Sequence, residues 1–287
     1  MIKVVGTHQN RIARVVANIF VTILGLLTIV PFIWMVSASF KMQRDVMAVP
    51  IQWIPRYWYP DNYLVVLHLG NAARKDYHFF LAYWNSIKLA VIHVSLVIVL
   101  SCMSGYAFAK LKFKGSHALF LVYLAQLMIP GQLTLIPRFS MFSDMGLVGT
   151  MWPLVFSGLV SVSSIFLIRQ AFMGVPDELR ESAMIDGANE YVIWARIMTP
   201  MIKPTVAAMA TVKFLDSWND YLDPLVFLSN WRQYTLPIAL NQFVGEEVSQ
   251  YNLTMAACCL TVIPVFIVFL CGQKFFVKGL NAGAVKG

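Results

Sequence analysis

Three charges interrupt an otherwise apolar run: Lys213, Asp216 and Asp220. Their spacing places them on one face of a helix, since residues three and four apart are neighbours there. Charges at membrane depth are costly and usually face a bundle interior or water. The face therefore either lines a solute pathway, or meets a second membrane subunit, or holds a local ion pair that merely lets the helix insert. Motifs for covalent or metal chemistry are missing from the sequence. It has no GxxxxGK[ST] phosphate loop, no HExxH, no nucleophile elbow and no Cys–His pair at ligand spacing. The chain carries no nucleotide site of its own, so any energy source must be a partner.

The elements that hold that face belong to a membrane protein. Of 287 residues, 59% are hydrophobic and 13% charged. A soluble domain is nearer one half apolar and one quarter charged, so the excess faces lipid. Cys102, Cys258, Cys259 and Cys271 all lie in apolar runs and read as small buried hydrophobes. The net charge of +8 fits basic loops beside an anionic leaflet better than nucleic acid. The expected fold is all-α and polytopic, one transmembrane domain over 1–287. Its spans are read at about 17–39, 86–110, 117–137, 150–168, 201–221 and 252–272. Pro130 and Gly131 should kink the third. Residues 40–85 read as an aromatic interfacial loop, 230–250 as a polar loop and 273–287 as a basic tail. One side of this topology carries Lys3, Arg11, Arg14, Lys110, Lys112, Lys114, Arg169, Arg180, Arg196, Lys203, Lys274, Lys278 and Lys286. The other carries fewer: Lys41, Arg44, Arg56, Arg74, Lys75, Arg138 and Arg232. Both termini should therefore be cytoplasmic.

Residues 176–200 form the one long polar stretch that keeps helical order. Pro176, Asp177 and Glu178 suit a helix start. The pattern predicts a short amphipathic helix that buries Leu179, Ala183, Met184 and Ile185 and exposes Arg180, Glu181 and Asp186. Gly187 and Asn189 should turn the chain, and a second helical run over 191–198 leads to Pro200. Glu181-Ser182-Ala183, Gly187, Ile197 and Thr199-Pro200 resemble, at matching spacing, the EAA loop of the membrane subunits of binding-protein-dependent ABC importers. Ser182 and Thr199 depart from the usual Ala and Leu. The run Gly105-Tyr106-Ala107-Phe108-Ala109-Lys110, the aromatic loop near Ile54-Pro55 and the tail 279–287 are similar to segments of the sugar-importer, maltose-type branch.

That resemblance implies a bacterial inner-membrane permease subunit for a sugar or oligosaccharide, with no catalytic residue, metal or cofactor of its own. It implies a second homologous permease, two ATPase subunits that bind the ATP, and an extracytoplasmic sugar-binding protein. Glu181, Ser182, Ala183, Asp186, Gly187, Ile197 and Pro200 would couple to the ATPase. Along the pathway, Trp218, Asn219, Tyr221 and Asn241 join Lys213, Asp216 and Asp220, because rings cover sugar C–H faces and amides bond hydroxyls. Trp218 and Tyr221 suit interfacial anchoring equally well. The 230–250 loop, with Gln233, Asn241 and Gln242, would reach into the docked binding protein. Two rivals are an ion-coupled secondary transporter, which needs inverted repeats and a titratable midplane site, and a membrane enzyme, which needs an acid, base or metal cluster.

Overall fold

The computed structural model describes residues 7–69, 78–243 and 250–284. Among these there is no strand. Arg74, Lys75, Glu246 and Glu247 lie outside the described residues, as does part of the 230–250 loop. The chain divides into two compact units, one from 1–77 with 242–260 and the other from 78–241 with 261–287.

In the first unit, α1 (Thr7–Ser39) is a long apolar rod with Pro31 inside it. Within Ala13–Ser39 an 18-residue window has a mean hydropathy of 2.5 and none of that window is buried. The segment after it is more built than an interfacial loop. Asn62 Nδ2 donates to the carbonyls of Ser39 and Lys41, at 2.8 Å each. Asn252 in turn donates to Asn62 Oδ1 at 2.8 Å. Lys41 is buried, bonded to the Gln52 carbonyl, with its ammonium 4.0 Å from the Trp34 ring centre. These bonds satisfy the carbonyls of Ser39, Lys41 and Gln52, in the segments that flank the short helix Gln43–Val46, and a second short helix, Asp61–Val66, supplies Asn62.

The second unit is arranged on α2 (Phe79–Lys110). This helix begins at Phe79, earlier than the expected 86, because 79–85 contains no breaker. The expected third span is two helices, α3 (Ser116–Ala125) and α4 (Leu135–Asp144), in segments bent by 97° around Pro130-Gly131. The expected fourth span is also divided, into α5 (Trp152–Phe156) and α6 (Val162–Met173). Gly158, at φ +75°, turns the chain between them, and Ser161 caps α6 by accepting from the Ser164 amide. Then follow α7 (Glu178–Ile185), α8 (Lys203–Asn219), α9 (Leu222–Phe227), α10 (Leu236–Gln242) and α11 (Tyr251–Ala284). The last helix replaces most of the expected tail. Against six expected spans, three helices among the described residues are long and apolar enough to cross a membrane, or four if the bent pair is one span.

α2 packs along both α6 and α8. The α2–α6 contact is close because Gly105 has no side chain: a Cβ there would lie 2.7 Å from Ile168 Cγ2 and 3.1 Å from the Arg169 amide. Around this contact Cys102, Tyr106, Ile168, Phe172, Ala183, Ile193 and Met198 form one core. That core reaches directly into the 176–200 stretch. The polar reading of 230–250 needs a correction too. Its Leu-Pro-Ile-Ala sequence forms α10, and Leu236, Ile238 and Ala239 are buried. Asn85 donates to the carbonyls of Arg232 and Tyr234, and Ser86 Oγ accepts from the Leu236 amide, so this segment is tied to the start of α2.

Candidate functional site

The 176–200 stretch folds as its punctuation directs. α7 starts after Asp177 with Glu178 and Glu181 in its first turn, where acids complement the positive end of the helix dipole. It ends at Asp186. Gly187 then adopts φ +83°, with its amide on the Met184 carbonyl at 3.0 Å and the Ala188 amide on the Ala183 carbonyl at 2.9 Å. This left-handed closure favours glycine. Asn189 Oδ1 caps the next turn by accepting from the Val192 amide at 2.9 Å. From Ile193 to Met198 the helix widens to π geometry just ahead of Pro200. Pro200 has no amide hydrogen, and its ring crowds the carbonyl four residues earlier, which is what such a widening relieves.

The amphipathic reading of α7 is overturned in one respect. Ala183 alone is buried, while Leu179, Met184 and Ile185 are exposed, Ile185 to 86%. Ala183 and the half-buried Arg180 form the inner side, being three apart. Met184 and Ile185 stand three and four positions after Glu181 and so share its outer face. Ser182, Asp186 and Gly187 are also exposed, and Ile197 and Pro200 are half-buried. The outer face thus sets the apolar Met184 and Ile185 beside the carboxylates of Glu178 and Glu181, with nothing of this unit covering it.

Of the charges within α7, Arg180 faces the other way. Arg180 forms an ion pair with Glu190, and the Tyr106 hydroxyl donates to the same carboxylate at 2.6 Å. Burial raises the Glu190 pKa, but the bonds from Arg180 and Tyr106 outweigh it, and the net displacement is below the ordinary carboxylate value. Lys110, whose side chain is 4% exposed, donates to the Val175 carbonyl at 2.6 Å and to Asp177 Oδ1 at 2.5 Å. This bond and the ammonium charge lower the Asp177 pKa. Both carboxyls therefore hold their partners at neutral pH. Tyr106 and Lys110 were not legible as site residues, although the only polar side chains in 105–110 are these two.

The second group of predicted residues is dispersed. Lys213 and Asp216 do share a face, joined by a 2.9 Å ion pair. Trp218 is 1% exposed, stacked on Phe214 and T-shaped to Tyr83, with its indole nitrogen donating to the Thr261 carbonyl at 3.2 Å. Neither a sugar nor an interface can reach its ring, so its role is packing. Asn219 donates back to Leu215 of its own helix, and Asp220 accepts from the Asp223 amide, capping α9. Tyr221 and Asn241 are brought together: the amide nitrogen donates to the phenol oxygen at 2.9 Å, and both are exposed. Sequence reasoning missed the bidentate pair of Arg138 with Asp223, at 2.6 and 3.0 Å, which ties α4 to α9. No local spacing signals it, since the partners are 85 residues apart. Among the described residues no His/Cys/Asp/Glu group is arranged to hold a metal.

Comparison with known proteins identifies this arrangement. The chain is 33% identical over 270 residues to the arabinooligosaccharides transport system permease protein AraQ of Halalkalibacterium halodurans, covering 92% of this chain and 93% of that one. It is 30% identical over 281 residues to the AraQ protein of Bacillus subtilis, covering 97% and 98%. Its fold matches a chain in the crystal structure of a bacterial ABC transporter involved in the import of the acidic polysaccharide alginate. The TM-score is 0.83 at 22% identity, over 96% of this chain and 100% of that one. Residues 97–282 match the family described as binding-protein-dependent transport system inner membrane component. That match sets aside the ion-coupled transporter and the membrane enzyme: the chain belongs to the binding-protein-dependent transport family, as an inner membrane permease component and not an enzyme.

Proposed function

We propose that the chain is one permease half of an ABC importer for a sugar or oligosaccharide, and that the outer face of α7 docks on an ATPase subunit. The observation that carries this reading is the inversion of α7. Its apolar residues Met184 and Ile185 are exposed on the face of Glu181, and Leu179 is exposed at the edge beside Ala183, while its Arg180 is engaged behind it. A monomer gains nothing from an exposed apolar face held so firmly, whereas a partner with an apolar, basic-edged groove does. The basic bias of the sequence puts this loop and both termini in the cytoplasm. A second homologous permease completes the pathway, and two ATPase subunits bind the ATP. A binding protein delivers the substrate from outside.

A sugar is supported by the likeness to oligosaccharide permeases and by the exposed Tyr221–Asn241 pair, a ring and an amide side by side. Lys213, Asp216, Asn219 and Asp220 stand on or next to the same stretch and contribute polarity to the pathway.

The test is co-purification with a tagged chain, followed by uptake of labelled oligosaccharides into reconstituted vesicles. Ile185→Asp places a charge in the centre of the apolar face, and Glu181→Lys reverses its carboxylate. Each should weaken retention of the ATPase by about 2–5 kcal/mol, the range for breaking a desolvated contact, and abolish uptake. Full retention and uptake in both variants would remove the docking role.

A further inference from the structure

The run Gly105-Tyr106-Ala107-Phe108-Ala109-Lys110 reads in sequence as a close-packing end to a span. In the structure it is also the place where the 176–200 loop is fastened. Tyr106 is 4% exposed, with its ring T-shaped to Phe172 at 5.5 Å and its hydroxyl on Glu190. One turn on, the Lys110 ammonium reaches Asp177 and the Val175 carbonyl. Asp177 immediately precedes α7, and Glu190 follows the turn after it. The end of α2 therefore grips α7 from both sides, while Arg180 within α7 closes on the same Glu190.

We propose that Tyr106 and Lys110 are positioning residues that make α2 and the 176–190 segment move as one body, so that a displacement of α7 reaches the membrane through α2. This rests on the docking role given to α7 above. The chemistry of the contacts supports it. Apolar side chains can slide past one another at little cost. A charge-assisted hydrogen bond has a narrow range of length and angle. Two such bonds, from residues one turn apart on a single helix, fix the orientation of α7 as well as its distance. Gly105 adds to this by seating α2 directly against α6, the helix that leads into the loop. Fastening of this kind costs side-chain freedom and is not needed for burial, since Ala183, Ile193 and Met198 already hold the loop to the core.

The test uses the complete reconstituted importer, with its partner permease, ATPase subunits and loaded binding protein. Tyr106→Phe removes only the hydroxyl. Lys110→Met keeps the apolar stem and removes the charge, and Lys110→Arg keeps a donor for Asp177. The readouts are ATPase retained on the tagged chain and substrate imported per ATP hydrolysed. In the Tyr106→Phe/Lys110→Met double variant the ATPase should be retained, while substrate per ATP falls by about fivefold or more, the lower end of couplings between sites. Each single variant should fall by a smaller factor, and Lys110→Arg should match the unaltered protein. A double variant with unchanged substrate per ATP would overturn the proposal. So would one that loses the ATPase outright, because the contacts would then build the loop instead of transmitting its motion. Ile185→Asp, measured alongside, separates the two readings. If Ile185→Asp keeps the ATPase, the docking role is at fault. If Ile185→Asp loses it and the double variant stays coupled, only the fastening idea fails.

Discussion

The 176–200 loop and the 203–223 segment both place charges beside apolar sequence, and they use them in opposite ways. In the loop the bonds are long-range: Tyr106 to Glu190 spans 84 residues and Lys110 to Asp177 spans 67. In α8 the ion pair of Lys213 with Asp216 spans three, and Asn219 bonds only to its own helix. A long-range bond ties the position of one element to another. A local one balances charge and leaves the helix free to move as a unit. The loop is thus tied to α2 through its charged side chains, while α8 is held to its neighbours by packing and by the Trp218–Thr261 bond, and its charges pair locally. The end of that segment changes character, since Asp223 joins the far-off Arg138.

This contrast can be broken at its strongest point first. Arg138 and Asp223 are 25% and 18% exposed at the side chain. Arg138→Ala leaves Asp223 partly buried without its partner, and should cost about 1–3 kcal/mol, below the 3–5 kcal/mol of a fully buried pair because water still reaches the site. Denaturant titration of the protein in detergent micelles reads this, and a cost under ~0.5 kcal/mol would mean the α4–α9 tie is decorative. The next effect is smaller. Gly187 has nothing within 4 Å of where a Cβ would stand, so Gly187→Val brings backbone strain at φ +83° and no internal clash. That strain is about 1–2 kcal/mol, which should weaken ATPase retention roughly five- to thirtyfold, whereas Ser182→Ala should be nearly silent. Equal retention in the two variants would show that the turn shape is irrelevant to docking. The smallest change is expected at Lys213→Met. If its pair is only local, stability should move by less than about 1 kcal/mol. A fall in uptake without a fall in stability is the result expected of the pathway role proposed for Lys213, and unchanged uptake would remove that role.

Much of the loop is legible in the sequence, and for a local reason. Helix starts, the glycine turn, the Asn189 cap and the proline are encoded within a few residues of where they act. The facing of α7 is not. Periodicity says that Leu179, Met184 and Ile185 are apolar, but whether they pack inside the chain or against a partner depends on what else reaches that face. In a subunit of a larger assembly, the rule that apolar residues turn inward applies to the assembly. The break in the fourth span illustrates a second limit. Mean hydropathy carries a reader through Ser157-Gly158, where the backbone turns, whereas the bend of the third span is announced by Pro130-Gly131 itself. Trp218 shows a third: indole chemistry suits stacking, anchoring and packing alike, and only its neighbours Phe214 and Tyr83 decide among them.

The docking of α7 is most directly tested by cross-linking. A chain with Cys102, Cys258, Cys259 and Cys271 replaced would carry a single new thiol through Ile185→Cys, at the most exposed apolar position of α7. A short bifunctional reagent should then join it to the ATPase subunit in the assembled importer, while a thiol introduced by Ala183→Cys, on the buried side, should not react. Free labelling of Ile185→Cys by a bulky maleimide in the active, ATPase-bound complex, with no cross-link formed, would contradict the docking of this face.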